Sequence, residues 1–286
     1  MKICILTRTP GRYTENKIFE EAKAAGHDAF FVRPSDCMIV FENNGAKIID
    51  ANGEKLSADA VIPRIQNTLS EYDRAVLRQL ESDGTYILIG SLAIGRSFDI
   101  VRTLQILNKN GICMPHTVVG RSQSIPDSTL DKIDFPVAIR STSSSSNIVM
   151  ASSQNTTKSL IRAFSADGSG SIIQEIPRAT GGRRITAILL GGHVIASIRN
   201  VDGSFSPLRL KTHEEKTLEK IAKSLNLRFC SIESVFYDET EYIILDINAM
   251  PKIETVEKIS GRNIAERLIK YIELNAKRQH RDRVGT

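Results

Sequence analysis

The tract from Ser231 to Asn248 constrains this chain more than any other. Ser231-Ile-Glu-Ser-Val-Phe (231–236) reads as a strand. Tyr242-Ile-Ile-Leu (242–245) reads as a second strand, running on into Asp246-Ile247-Asn248, and Asp238-Glu239-Thr240 is the polar turn between the two. Successive side chains on a strand face opposite ways, so Asp246 and Asn248 share one face and Ile247 takes the other. A hairpin over this tract brings Glu233 opposite Asp246 and Asn248. Two carboxylates and an amide oxygen at one spot repel unless a cation sits between them. Hard oxygen donors with room for phosphate oxygens suit Mg²⁺. Polar residues on a solvated face of an antiparallel sheet give the same pattern, so spacing alone leaves both readings open.

The rest of the chain alternates strand-like and helix-like segments. Residues 2–6 and Ala29–Arg33 read as strands around a helix from Glu15 to Ala25, which Gly26 closes. Short strands follow at Met38–Phe41, Lys47–Ile49 and Ala60–Ile62, then a helix from Thr68 to Asp83 and a strand at Tyr86–Ile89. This βαβ order predicts a parallel sheet flanked by helices. A helix is predicted over 97–109, and strands at 116–119, 135–139, 147–151 and 171–176. Gly191-Gly192 marks a hairpin between the strands 184–190 and 193–199. Helices at 213–225 and 264–277 flank the acidic hairpin. Boundaries fall near residues 96 and 185.

Length and composition exclude several classes. With 286 residues, 41% hydrophobic and 25% charged, the chain is ordinary globular material with room for two or three domains. No apolar run approaches the ~20 residues that cross a bilayer, and Met-Lys-Ile-Cys-Ile-Leu is too short for a signal peptide. We therefore expect a cytoplasmic protein with no membrane partner. Cys4, Cys37, Cys113 and Cys230 form no CxxC pair, which points to buried thiols. Much of the net charge of +5 lies in the tail Lys277–Arg283, and elsewhere bases alternate with acids, so no nucleic-acid partner is expected.

Several separated segments resemble one family. Asp59-Ala-Val-Ile-Pro-Arg64-Ile, Ala75-Val-Leu-Arg78-Gln79-Leu, Asp99-Ile-Val-Arg102-Thr-Leu-Gln105-Ile-Leu, Gly111-Ile-Cys-Met-Pro115, Ile173-Gln174-Glu175-Ile176 and Asp246-Ile-Asn248-Ala-Met-Pro251 occur in the order seen in the RimK-like α-L-glutamate ligases of the ATP-grasp superfamily. The resemblance implies an α/β ATP-grasp fold of three subdomains: an N-terminal pre-ATP-grasp domain (1–96), a central subdomain (97–184) and a C-terminal subdomain (185–286). It implies ATP and Mg²⁺ (or Mn²⁺) as cofactors, and ligation of glutamate or a similar amino acid to a peptide, protein or small-molecule carboxylate through an acyl phosphate. It also implies a homo-oligomer. By the same resemblance, Glu233, Asp246 and Asn248 hold the metal. Arg140, Ser143, Ser144, Ser145, Ser146, Glu175 and Ile176 hold the nucleotide, and Arg8 and Arg64 reach substrate.

The chain also departs from the family pattern. A phosphate-binding Lys is replaced by Ile100, and a second Lys by Arg140. The loop over the phosphates, Ser141-Thr-Ser-Ser-Ser-Ser146, has no Gly. An Asp-Ile-Arg segment becomes Arg184-Ile-Thr186, an Arg-Ser-Asn run becomes Ser206-Pro-Leu208, and Lys252 stands where a Gly follows Pro251. Two expectations follow: a working ATP-dependent carboxylate–amine ligase with a rebuilt phosphate grip, or a catalytically degenerate relative that acts as a binding or regulatory module.

Overall fold

A computed structural model describes residues 1–43, 45–65, 70–121, 125–142, 148–164, 168–177, 182–237 and 241–284, with backbone alone for 280–284. The alternating start of the chain forms β1 (Lys2–Thr7), buried after Lys2. Helix α1 (Tyr13–Ala24) turns Ile18 and Ala22 onto it, and β2 (Asp28–Val32) pairs with β1 in parallel. A hairpin of β3 (Met38–Glu42) and β4 (Gly45–Ile49) follows. Next come β5 (Ala60–Arg64), α2 (Glu71–Ser82) and β6 (Tyr86–Ile87). Helix α2 starts with a reciprocal cap: Asp73 N donates to Ser70 Oγ at 3.1 Å, and Ser70 N donates to the Asp73 carboxylate at 2.8 Å. The sheet order is β2-β1-β5-β6, all parallel.

The helix expected over 97–109 is two helices, α3 (Ser91–Phe98) and α4 (Ile100–Lys109). Asp99 between them is extended (φ −85, ψ 93), and its carboxylate accepts from Arg102 N at 2.9 Å. A short acid that caps the following helix competes with continuation of the preceding one. The chain then builds β7 (Thr117–Gly120), α5 (Asp127–Leu130), β8 (Val137–Ser141), β9 (Ile148–Ala151), α6 (Gln154–Phe164) and β10 (Ser171–Glu175). These strands form an antiparallel sheet of order β7-β10-β8-β9 with a small core of its own, including Val137, Ile139, Ile161 and Ile173.

The C-terminal part comprises β11 (Arg183–Leu190), β12 (His193–Val201), β13 (Ser204–Pro207), α7 (Thr212–Leu225), β14 (Phe229–Phe236), β15 (Tyr242–Asn248), α8 (Glu254–Ser260) and α9 (Ile264–Val284). The expected division at 184/185 falls inside β11. Order in this antiparallel sheet is β13-β12-β11-β14-β15. Its core is continuous with that of the N-terminal sheet: Ile3, Ile18 and Val76 belong to one buried cluster with Leu218, Ile232 and Leu268. Helix α9 packs along α1. Asn263 at its start donates to Glu21 at 2.8 Å, and His27 meets Glu273 at 2.8 Å further along. The first and last parts of the chain thus share one hydrophobic interior, and the central sheet carries a separate one.

Candidate active site

The acidic hairpin forms in the expected register. Glu233 is the direct partner of Asp246 across β14 and β15, and Ser231 is the partner of Asn248. Thr186 on β11 is the partner of Glu233 from the other side. Partners across antiparallel strands share a face, so Thr186, Glu233, Asp246 and Asn248 line one surface of this sheet. The ladder shifts between Glu233 and Ser234. Such a bulge locally sharpens the twist of the strand.

Asp246 and Asn248 form part of the wall of a cleft of about 200 Å³. The central sheet contributes Arg140 and Gln174, and α4 contributes Ile100 and Leu104. Arg140 and Gln174 share a face because Ile172, the register partner of Arg140, lies two residues from Gln174. Glu233 lies on the continuation of the Asp246 surface, beyond the enclosed part of the cleft.

Burial raises the Asp246 pKa above the ordinary aspartate value, partly offset by the Arg140 guanidinium and by the Ile247 N–H. Burial likewise raises Glu233; the negative charge of Asp246 adds to the rise and Arg184 opposes it. Burial also lowers the Arg140 pKa, against the pull of Asp246. Both carboxylates keep some exposure, and the shared upward direction reflects partial desolvation of two acids set on one face. The donor set fits a divalent ion: two carboxylates face each other, and Asn248 Oδ1, which accepts from Met250 N at 2.8 Å, keeps a second lone pair. Among the described residues no group of three His, Cys, Asp or Glu side chains is placed to hold a metal.

The other candidates are placed as follows. Ser143, Ser144, Ser145 and Ser146 lie outside the described residues. The loop's root is held at Thr142, whose N donates to Gly170 O at 2.8 Å and whose Oγ1 accepts from Gly170 N at 2.9 Å. Glu175 turns its carboxylate to His116 Nδ1 at 3.0 Å and Asp134 N at 2.9 Å. Its own N–H donates to His116 O at 3.0 Å, and the Ile176 N–H donates to Pro136 O at 3.3 Å. Neither residue belongs to the cleft wall; Gln174, the preceding residue, does. Gln174 lines the cleft without being among the residues the resemblance implies, and strand alternation next to buried Ile173 is the signal that marks it.

Arg8 pairs with Asp73 and is partly exposed. Arg64 is 1% exposed, with Nε donating to Glu15 at 3.0 Å. Burial lowers its pKa, and Glu15 opposes that. Neither arginine lines the cleft. Leu208 is pinned to Ser197: its N donates to Ser197 O at 3.1 Å and its O accepts from Ser197 Oγ at 2.8 Å.

The sequence matches the RimK PreATP-grasp domain over residues 1–94 and the RimK-like ATP-grasp domain over residues 97–272. The chain belongs to the RimK-like ATP-grasp family. Membership places it among the ATP-dependent carboxylate–amine ligases and agrees with the mixed α/β architecture. A probable α-L-glutamate ligase of Maridesulfovibrio salexigens is 32% identical to it, over 96% of this chain and 96% of the relative. The fold is shared with the ATP-grasp ligase PsnB, whose structure contains a minimal precursor, Mg and ADP (TM-score 0.73, 15% identity, 96% of this chain and 98% of that one). It is shared as well with a D-alanine–D-alanine ligase of Bacillus anthracis complexed with ATP (TM-score 0.74, 16% identity, 99% of both chains). No helix among the described residues is long and apolar enough to cross a membrane.

Proposed function

We propose that this RimK-like cleft binds Mg·ATP and that the protein joins glutamate, or a similar amino acid, to a peptide or small-molecule carboxylate. The observation that carries the reading is the direct pairing of Glu233 with Asp246, whose side chain lines a cleft that Arg140 meets from the other sheet. Glu233, Asp246 and Asn248 would hold Mg²⁺ (Mn²⁺ suits the same oxygens), and the bound ion would offset charge on the phosphate oxygens. Arg140 would clamp phosphate oxygens through its planar fork. The carboxylate substrate attacks the terminal phosphorus, ADP leaves, and the amine then displaces phosphate from the acyl phosphate. The chain's residues serve this by alignment and by charge.

The three larger sheets support a division into pre-ATP-grasp (1–96), central (97–184) and C-terminal (185–286) subdomains. We place part of the acceptor site at the carboxyl edge of the N-terminal sheet. Arg8 is presented there just past β1, and Arg64 supports that edge from beneath through Glu15 and α1. Exposed Met38 (55%) and Phe41 (79%) on the β3–β4 hairpin support a homo-oligomer, and a cytoplasmic location belongs to the same reading.

Calorimetry with Mg·ATP and Mg·ADP on the wild type and on Ile100→Lys tests this function, together with amine-dependent ADP release. We expect the wild type to bind and turn over. A lysine at 100, on the wall that carries Asp246 and Arg140, should tighten Mg·ATP by roughly 1.5–3 kcal/mol, the worth of a hydrogen bond to a charged group. Binding confined to the lysine variant, with no turnover by the wild type, would replace this reading with that of a degenerate module.

A further inference from the structure

Arg184 is a charge on the site face that the reading above leaves unused. It lies two residues before Thr186, and Thr186 is the register partner of Glu233. Side chains two apart on a strand share a face, so Arg184 rises from the same surface as Glu233 and Asp246. The neighbouring Arg183 takes the other face and is tied to Glu214. Arg184, by contrast, is exposed and forms no hydrogen bond or ion pair among the described residues. Thr186, opposite Glu233, is neutral, so β11 supplies its cation to this face from position 184. Arg140 on β8, the other arginine near the acids, is likewise without a hydrogen bond or ion pair among the described residues and comes from the opposite sheet.

We propose that Arg184 is a phosphate-binding residue that works with Arg140 as a two-armed clamp, one guanidinium from each sheet with the acid pair between them. The inference rests on the nucleotide reading of the cleft and goes beyond it by assigning the second arm. The two carboxylates and two arginines together are neutral. A divalent ion on the acids makes the surface cationic, matched to a polyphosphate emerging from the enclosed part of the cleft. Arginine suits the role because its charge is permanent and its fork meets two phosphate oxygens at once.

The test compares Mg·ATP with adenosine, the same base and ribose without phosphate, on wild type, Arg184→Ala and Arg184→Lys. Affinities are read by calorimetry and by competition, and ligand-free unfolding is measured for each variant. We expect Arg184→Ala to weaken Mg·ATP roughly tenfold or more, to leave adenosine and ligand-free unfolding unchanged, and to be partly rescued in Arg184→Lys. Wild-type affinity for Mg·ATP in the alanine variant would overturn the assignment and leave the nucleotide reading standing. Equal loss of adenosine and Mg·ATP would show a structural role and overturn it too. A wild type that binds neither ligand would overturn the nucleotide reading, and this inference with it.

Discussion

Glu233 and Asp246 face each other directly across β14 and β15, one residue before the ladder between these strands shifts. Burial raises the pKa of both, and the charge of Asp246 raises that of Glu233 further. Two like charges held opposite each other on one face disfavour each other in the fold. Glu233→Gln and Asp246→Asn should each lower Mg-dependent ADP release by about a hundredfold or more. In chelator, both variants should melt at or above the wild-type temperature. Unchanged turnover in both would remove the metal role, and a lower melting point in chelator would contradict the repulsion.

Arg64 and Glu15 form an ion pair in which each side chain is 1% exposed, and Arg64 Nη1 and Nη2 are buried without a hydrogen-bond partner among the described residues. Removing one member of such a pair strands a buried charge. Glu15→Ala should cost about 3–5 kcal/mol in denaturant unfolding, while the double replacement Glu15→Leu with Arg64→Met should recover most of that. A single variant as stable as the wild type would show that the guanidinium finds water.

The Gly191-Gly192 turn separates two causes of strain. Both residues have positive φ (62 and 86), but a Cβ on Gly191 would lie 2.6 Å from Tyr271 Cε2, whereas one on Gly192 meets nothing within 4 Å. Gly192→Ala should cost about 1–2 kcal/mol, the left-handed penalty alone, and Gly191→Ala clearly more. In a Tyr271→Ala background the two costs should converge. A persistent difference in chemical denaturation there would rule out the ring contact as its cause.

Glu21 links α1 to the start of α9. Its pKa is lowered chiefly by the hydrogen bond from Lys17 and next by that from Asn263. A lowered folded-state value means that the unfolded chain takes up the proton first as pH falls. Stability from this group is then complete above the ordinary glutamate range and is lost as pH drops through the lower folded value. Glu21→Gln should flatten the acid limb of a stability–pH profile between those two values and leave its neutral region parallel to the wild type. An identical acid limb would show that Glu21 titrates alike in both states.

Much of the fold follows from local pattern. The βαβ start, the Gly191-Gly192 hairpin and the pairing of Glu233 with Asp246 all rest on periodicity and turn residues, which act over a few positions. Less legible were α3, α5, α8 and β13. Three of these four are only four to seven residues long, so they have too few side chains to display a period. Helix α3 (Ser91–Phe98) has a Gly inside it and ends at an Asp that caps the next helix. Gln174 shows the opposite situation: the signal was present in the strand alternation, while the family motif drew notice to Glu175 and Ile176.

What the amino-acid order determined by itself was most of the strands, their faces and the acids that share one. Side-chain alternation is a property of the backbone and needs no partner. Tertiary structure decided which faces meet. It brought Arg140 to Asp246 from another sheet, buried Arg64 against a carboxylate from α1, and merged the first and last parts of the chain into one core through α9. Those pairings join residues far apart in the chain and arise from the burial of apolar surface between whole elements, which no short stretch of sequence encodes.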